Sequence, residues 1–404
     1  MAVGLKAPTH LHPVAGIRLG TARAGIKYPD RRDLLVMELA EGARCAAVFT
    51  RNAFCAAPVV VAREHLAAGD PRYLVVNTGN ANAGTGEAGL RDARAACDAV
   101  AAQCGCRGAD VLPFSTGVIG EPLPMDRLTE GIPHAVRDLA DDHWLEAAEA
   151  ILTTDTLPKG ATRQLDLDRG TLTLTGIAKG AGMIRPDMAT MLAFVATDAD
   201  IERPLLQEML AEAVDASFNR ITVDGDTSTN DACVLMATGR SGCRIEPRGE
   251  ARERFASALR ELCMELAQAI VRDGEGATKF VTVEVAGGRD ANECLRTAYT
   301  IAHSPLVKTA LFAGDPNWGR ILAAVGRAGL QDLDIGRVRI FLGNVCIVSG
   351  GGRDPAYTEE AGQAAMAGED ILIRVELGRG PAREQIWTTD LSYDYVRINA
   401  EYRT

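Results

Sequence analysis

Lys179-Gly-Ala-Gly-Met-Ile-Arg-Pro-Asp-Met-Ala-Thr-Met-Leu-Ala-Phe194 is the stretch around which the rest of the chain arranges itself. Ahead of it, Thr171-Leu-Thr-Leu-Thr-Gly-Ile177 alternates polar and apolar residues as a strand does. Behind it, Met191 to Ala196 is a short apolar run suited to a fully buried strand. Pro186 disfavours a helix between the two and biases Arg185 toward extended backbone. Thr190 therefore stands where a loop enters the core. One reading is a β-branched residue opening a strand, a place threonine suits well. The other is a nucleophile exposed as a new chain terminus by cleavage after Ala189.

The second reading is chemically coherent. A threonine hydroxyl attacks poorly until a base takes its proton. A free α-amine, with an ordinary pKa of about 7.7–8.0, is partly neutral near pH 7 and can serve as that base. Cleavage before Thr190 would put nucleophile and base on one residue, the arrangement of enzymes with an N-terminal threonine. Gly180, Ala181, Gly182 and Ala189 supply small neighbours that let the backbone twist and the hydroxyl approach the preceding carbonyl.

At 404 residues the chain is too long for one simple core, and two domains are expected. A net charge of −11 with no evident basic face argues against a general nucleic-acid binder. Met1 to Gly20 lacks the basic and apolar regions of a signal peptide, and no export is expected. The longest apolar stretches, such as Ala56 to Ala62, are too short to span a bilayer, and no membrane partner is expected. Ten cysteines lack a C-x-x-C pair, Cys104-Gly-Cys106 being the nearest spacing. They are expected to be reduced and mostly buried, which points to the cytoplasm.

Strands are expected at Leu34–Leu39, Cys45–Thr50, Pro58–Ala62, Tyr73–Val76 and Val111–Phe114, the last leading to Ser115-Thr-Gly117. Met1 to about Gly20 reads as irregular, and Asn77 to Gly86 as a loop dense in turn formers. Helices are expected at Glu87–Gln103, Trp144–Leu152, from Pro204, at Arg252–Val271 and near Ala291–His303. Phe280–Val285, Val338–Leu342 and Ile371–Leu377 read as strands, and Gly314–Arg320 as a turn. Interleaved strands and helices give an α/β or α+β class with layered sheets and helices. The expected domains are 1–285 and a smaller C-terminal α/β domain, 286–404.

Other constellations are weaker. Gly84-Thr-Gly-Glu-Ala-Gly89 matches a dinucleotide-binding pattern, but a loop separates it from its strand and no acidic strand end follows. His134-Ala-Val-Arg-Asp138 fits an H-x-x-x-D pattern without its following glycine, and reads as a surface pair. Asp224, Asp226 and Asp231 resemble an oxygen cage but fail the spacing of a calcium loop. No histidine or cysteine spacing suits a metal. Glu275, between two glycines, is either a solvated turn residue or a carboxylate aimed into a pocket.

Lys179 to Leu192 resembles the self-cleavage segment of the glutamate N-acetyltransferase (ornithine acetyltransferase) family. Asn77–Asn82, Ser115–Gly120, Thr153–Thr156, Asp224–Asp231, Asp273–Lys279, Gly314–Arg320 and Ile398–Thr404 resemble that family in the same order, over essentially the whole chain. The resemblance implies an arginine-biosynthesis enzyme that moves acetyl from N2-acetyl-L-ornithine to L-glutamate by a ping-pong route through acetyl-Thr190. It implies self-cleavage at Ala189–Thr190 into chains 1–189 and 190–404. Thr116 and Gly117 are then the oxyanion hole, and Thr156, Lys179, Glu275, Asn399 and Thr404 line the substrate pocket. It further implies a fold like that of the self-processing aminopeptidases, two copies of each fragment in a heterotetramer, and no cofactor or metal.

No motif separates members that use only acetylornithine from those that also use acetyl-CoA for amino-acid N-acetyltransferase activity; the expectation carried forward is the bifunctional kind. The alternative within enzymes is a self-processed amidase or aminopeptidase with water as acceptor, against which the Asn399–Thr404 ending speaks. Outside that class stand a nicotinamide oxidoreductase resting on Gly84–Gly89 and a non-catalytic binding protein.

Overall fold

Residues 2–168, 170–185 and 191–401 are described by a computed structural model of the chain. Their packing falls into two units. One comprises Ala7–Asn219 with Asp226–Ile270, the other Met1–Lys6, Arg220–Gly225 and Val271–Thr404.

The first unit runs β1 (Ile17–Ala22), β2 (Leu34–Leu39), β3 (Arg44–Phe49), α1 (Ala57–Ala68), β4 (Tyr73–Asn80), α2 (Gly86–Cys104), β5 (Val111–Val118), α3 (Met125–Arg137) and α4 (Trp144–Ala150). It continues with β6 (Lys159–Leu167), β7 (Gly170–Lys179), β8 (Leu192–Thr197), α5 (Arg203–Ala216), β9 (Ala232–Ala237) and α6 (Glu250–Arg272). The strands form two sheets, ordered β1-β2-β4-β5 and β3-β9-β8-β7-β6.

The period of two along β2 explains how the sheets stack. Leu35, Met37 and Leu39 join a core that also holds Phe114, Phe194 and Val234, so this face looks toward the second sheet. Leu34 and Val36 join Ala93, Cys97, Leu128 and Ile132 on the other face, under α2 and α3. Covered on both sides, β2 is apolar at nearly every position. Phe114 and Phe194, one from each sheet, meet edge to face with centroids 5.2 Å apart. On the far side of the second sheet, Gly176 leaves room for Leu262 and Leu266 of α6, where a Cβ would come within 2.9 and 3.2 Å. The unit is a helix–sheet–sheet–helix sandwich.

The second unit contains β10 (Phe280–Gly288), α7 (Ala291–Ala302), α8 (Pro305–Phe312), α9 (Trp318–Gly326), β11 (Arg339–Leu342) and β12 (Val345–Ser349). β13 (Gly352–Arg353), α10 (Glu359–Met366), β14 (Asp370–Glu376), β15 (Ala382–Thr389) and α11 (Tyr393–Glu401) complete it. Its sheet has the order β13-β12-β11-β14-β10-β15, with β10 and β14 parallel. Asp290, Ser304, Asn317 and Thr358 cap α7, α8, α9 and α10 by accepting backbone N–H bonds in the first turn. The class is mixed α/β, as expected.

Several local expectations change. Pro58–Ala62, read as a strand, lies in α1. Pro58 occupies the first turn, where its missing N–H costs nothing, and Val59, Val61, Ala62 and Leu66 form the buried face. The region read as irregular contains β1 from Ile17 onward, paired with β2. β4 continues through Asn77–Asn80, and Ser115–Gly117 lie inside β5. The turn at Gly314–Arg320 ends as the first turn of α9, capped by the Asn317 side chain. Among the described residues no helix is long and apolar enough to cross a membrane.

Candidate active site

Strand register gathers part of the candidate site at one end of the second sheet. Lys179 of β7 pairs with Leu192 of β8, and Leu192 pairs with Ala232 of β9. The Ala232 N–H donates to the Met191 carbonyl at 2.9 Å. Lys179, Met191 and the residue before β9, Asp231, thus reach the same sheet end. Ala189 and Thr190 lie outside the described residues, as does Thr404.

In the first sheet β4 and β5 run parallel, with Thr78 opposite Thr116 and Gly79 opposite Gly117. Gly117 has φ +138°, and a Cβ there would fall 2.3 Å from the Gly79 carbonyl carbon. The strands can approach this closely because Gly117 has no Cβ; a Cβ on Gly79 would instead meet the Lys27 Cβ at 2.7 Å. Side-chain amides fix the ends of these strands. Ser115 Oγ donates to Asn77 Oδ1 at 2.6 Å, and Asn77 Nδ2 donates to the Asn80 carbonyl at 2.9 Å. Asn230 Nδ2 donates to the carbonyls of Ala81 and Ser115, at 2.6 and 2.9 Å, tying the loop before β9 to the strand that carries Thr116.

Beside Lys179 stands Asp155, whose carboxylate is fully buried. It accepts from Lys159 Nζ at 2.7 Å, the Gly180 N–H at 2.7 Å and the Thr153 N–H at 3.1 Å, with Lys179 Nζ 3.8 Å away. Burial alone would raise its pKa, but the two lysine charges and these donors hold it well below the ordinary carboxylate range. Asp231 shows the opposite balance. Burial pushes its pKa well above the carboxylate range, against weaker opposition from Ser228 and Lys179, and its Oδ2 has no hydrogen-bond partner among the described residues. The Lys179 side chain is 10% exposed, whereas those of Lys159 and Asp155 are 0% exposed. Thr156, next in sequence to Asp155, is exposed.

In the second unit, Glu275 is half-buried on the loop between α6 and β10, and Asn399 is exposed on α11. The two are brought together: Asn399 Nδ2 donates to Glu275 Oε2 at 2.8 Å.

Asp155, Lys159 and Asn230 were not singled out from the sequence. Asp155 and Asn230 sit in motifs that carried the resemblance, which is the one signal that could have flagged them. The other constellations are used elsewhere. A Cβ on Gly89 would meet Thr85 Oγ1 at 1.9 Å and Asn82 Oδ1 at 2.4 Å, so this glycine serves helix–loop packing. His134 Nδ1 bonds Arg137, and Asp138 accepts from the N–H and hydroxyl of Thr21. Among the described residues no group of three or more His, Cys, Asp or Glu is arranged to hold a metal ion.

A family model described as the ArgJ family matches residues 18–404. The chain is 59% identical over 406 residues to "Arginine biosynthesis bifunctional protein ArgJ" of Pseudomonas syringae pv. tomato, covering 100% of both. It is 61% identical over 395 residues to the protein of the same name from Methylococcus capsulatus, covering 98% of this chain and 97% of the relative. Among solved structures it is similar to an arginine biosynthesis bifunctional protein from Bacillus halodurans, with 41% identity and a TM-score of 0.49, over 51% of this chain and 97% of the other. It is also similar to ornithine acetyltransferase complexed with ornithine from Mycobacterium tuberculosis, with 39% identity and a TM-score of 0.41, over 46% and 98%. Matched from residue 18 to its last residue, and to relatives along their full length, the chain belongs to the ArgJ family.

Proposed function

We propose that this chain is a bifunctional acetyltransferase of arginine biosynthesis. It moves acetyl from N2-acetyl-L-ornithine to L-glutamate, and it also accepts acetyl-CoA as donor to glutamate. The observation that carries the reading is the full-length likeness to relatives that are each named as bifunctional in arginine biosynthesis.

Maturation comes first. The Thr190 hydroxyl attacks the Ala189 carbonyl, the acyl group passes from nitrogen to oxygen, and water hydrolyses the ester. This yields chains 1–189 and 190–404, with a free amine on Thr190. In the transfer, that amine takes the hydroxyl proton as the oxygen attacks the acetyl carbon of the donor. The tetrahedral oxyanion is held by the Thr116 hydroxyl and the Gly117 N–H, each donor worth ~3 kcal/mol. The proton passes to the departing amine, ornithine leaves, and acetyl remains as an ester on Thr190. The glutamate amine then attacks that ester, and the same base and donors serve in reverse. No cofactor is needed, because the acetyl group rests on the protein between half-reactions.

Lys179 and Thr156 bind the substrate carboxylate, while Glu275, Asn399 and the chain end at Thr404 bind its ammonium group. The cationic Lys179 side chain and the Asn399–Glu275 bond support these roles. The enzyme acts in the cytoplasm as a heterotetramer of two copies of each fragment.

Intact mass and N-terminal sequencing of the purified protein test the scheme. Two fragments meeting at Ala189–Thr190 are expected, with one acetyl group added to the second on incubation with acetylornithine. Thr190→Ala should give one uncut, inactive chain, and Thr190→Ser should still cut, more slowly. A fully active uncut chain, or a cut elsewhere, overturns the mechanism. Transfer from acetylornithine with none from acetyl-CoA removes the second activity, and release of free acetate without acetylglutamate returns the chain to a hydrolase.

A further inference from the structure

Ser392 is 5% exposed, and its one hydroxyl makes two bonds, one as acceptor and one as donor. As the residue preceding α11, it accepts the Tyr395 N–H at 3.3 Å, satisfying a donor of the first helical turn. It also donates to the Gly276 carbonyl at 2.6 Å. Gly276 follows Glu275, and Asn399 lies two turns along the helix that Ser392 opens. The hydroxyl therefore joins the loop bearing Glu275 to the helix bearing Asn399.

The loop is shaped for this approach. Gly276 has φ +67°, and a Cβ there would lie 2.4 Å from the Tyr395 nitrogen and 2.7 Å from Ser392 Oγ. The remainder of the loop is held from the same junction. Asp390 Oδ1 accepts from the N–H groups of Thr278 and Lys279 at 2.8 and 3.1 Å, and its Oδ2 accepts from the Thr278 hydroxyl. The junction is anchored in turn. Lys308 Nζ donates to the hydroxyls of Thr388 and Thr389 at 3.1 and 3.2 Å, and the Leu391 N–H donates to the Lys308 carbonyl at 3.2 Å.

We propose that Ser392 is a positioning residue for substrate binding, its hydroxyl setting the Glu275 carboxylate against the Asn399 amide. The proposal rests on the substrate-binding role given above to Glu275 and Asn399. Helix capping alone would leave the Gly276 bond without consequence, and three variants of the mature enzyme separate the two. Ser392→Ala loses both bonds. Ser392→Asp keeps a good cap, because aspartate accepts the same helix N–H, but has no proton to give the Gly276 carbonyl. Ser392→Thr keeps both.

KM and kcat are measured for transfer from acetylornithine to glutamate, with completeness of self-cleavage and Tm as controls on folding. Ser392→Ala and Ser392→Asp are expected to raise KM about tenfold with kcat within about twofold, the worth of one charge-assisted hydrogen bond made less well. Ser392→Thr should return KM close to that of the parent enzyme. A parent-like KM in Ser392→Asp or Ser392→Ala overturns the proposal, as does a Ser392→Thr KM as high as that of Ser392→Ala. Glu275→Gln is run beside them. If it leaves KM unchanged, the binding role of Glu275 falls and the positioning role with it. If it raises KM while Ser392→Asp is silent, only the positioning role falls.

Discussion

Two buried aspartates of the sandwich unit respond to pH with opposite signs. Asp155 has its pKa depressed by Lys159 and Lys179, so its stabilising contribution is present above the ordinary carboxylate value. It is lost as pH falls through the depressed one. Asp155→Asn removes the carboxylate that faces two lysines with almost no access to water. Its expected cost is about 3–5 kcal/mol, read from denaturant midpoints at pH 7. Asp231 has its pKa raised by burial, so its contribution is fully present below about pH 3.9 and is lost as pH rises toward the raised value. Asp231→Asn keeps the shape of the neutral acid and removes that loss. The variant should melt above the parent at pH 7–8, with the difference closing below about pH 4. Parallel Tm curves across that range would show that Asp231 is charged in the folded protein. Neither role was legible in the sequence. Thr153-Thr-Asp-Thr156 shows a polar turn, and only the fold brings its aspartate between lysines four and twenty-four residues away.

At the scale of elements, the close approach of β4 and β5 depends on Gly117. Gly117→Ala should destabilise the protein by about 1–3 kcal/mol, since the new methyl group meets the Gly79 backbone at a φ that favours glycine. Urea unfolding checks this, and an unchanged midpoint would mean the strands can part without cost. Legibility at this scale followed the strength of the periodic signal. β2 and α2 match the reading to within a residue, because one is apolar at all but Glu38 and the other is a long alanine-rich helix that stops before Gly105. α1 was misread because Pro58-Val-Val-Val61 favours strands locally. Its burial follows a helical stripe that reaches Leu66, outside so short a window. β6, with polar residues throughout Lys159–Leu167, has no apolar run to announce it and is built by pairing with β7.

The order of the five-stranded sheet, β3-β9-β8-β7-β6, matters for the whole molecule. A cut before Thr190 assigns β3, β7 and β6 to one fragment and β9 and β8 to the other. The second fragment's strands then lie between those of the first, bonded along β3/β9 and along β7/β8. The fragments should co-elute in native gel filtration at any salt concentration and separate only in denaturant. Separation without unfolding would contradict this sheet order. The same arrangement changes the kinetic order of refolding. An uncut Thr190→Ala chain, diluted from denaturant, regains its sheet at a rate independent of protein concentration. A protein cut before Thr190 would first have to bring two molecules together, so its recovery should slow with dilution and at low concentration lose to aggregation. On the proposed cut, maturation would be a one-way passage: the sheet would assemble while the chain is continuous, and would then persist because the fragments could escape only by unfolding.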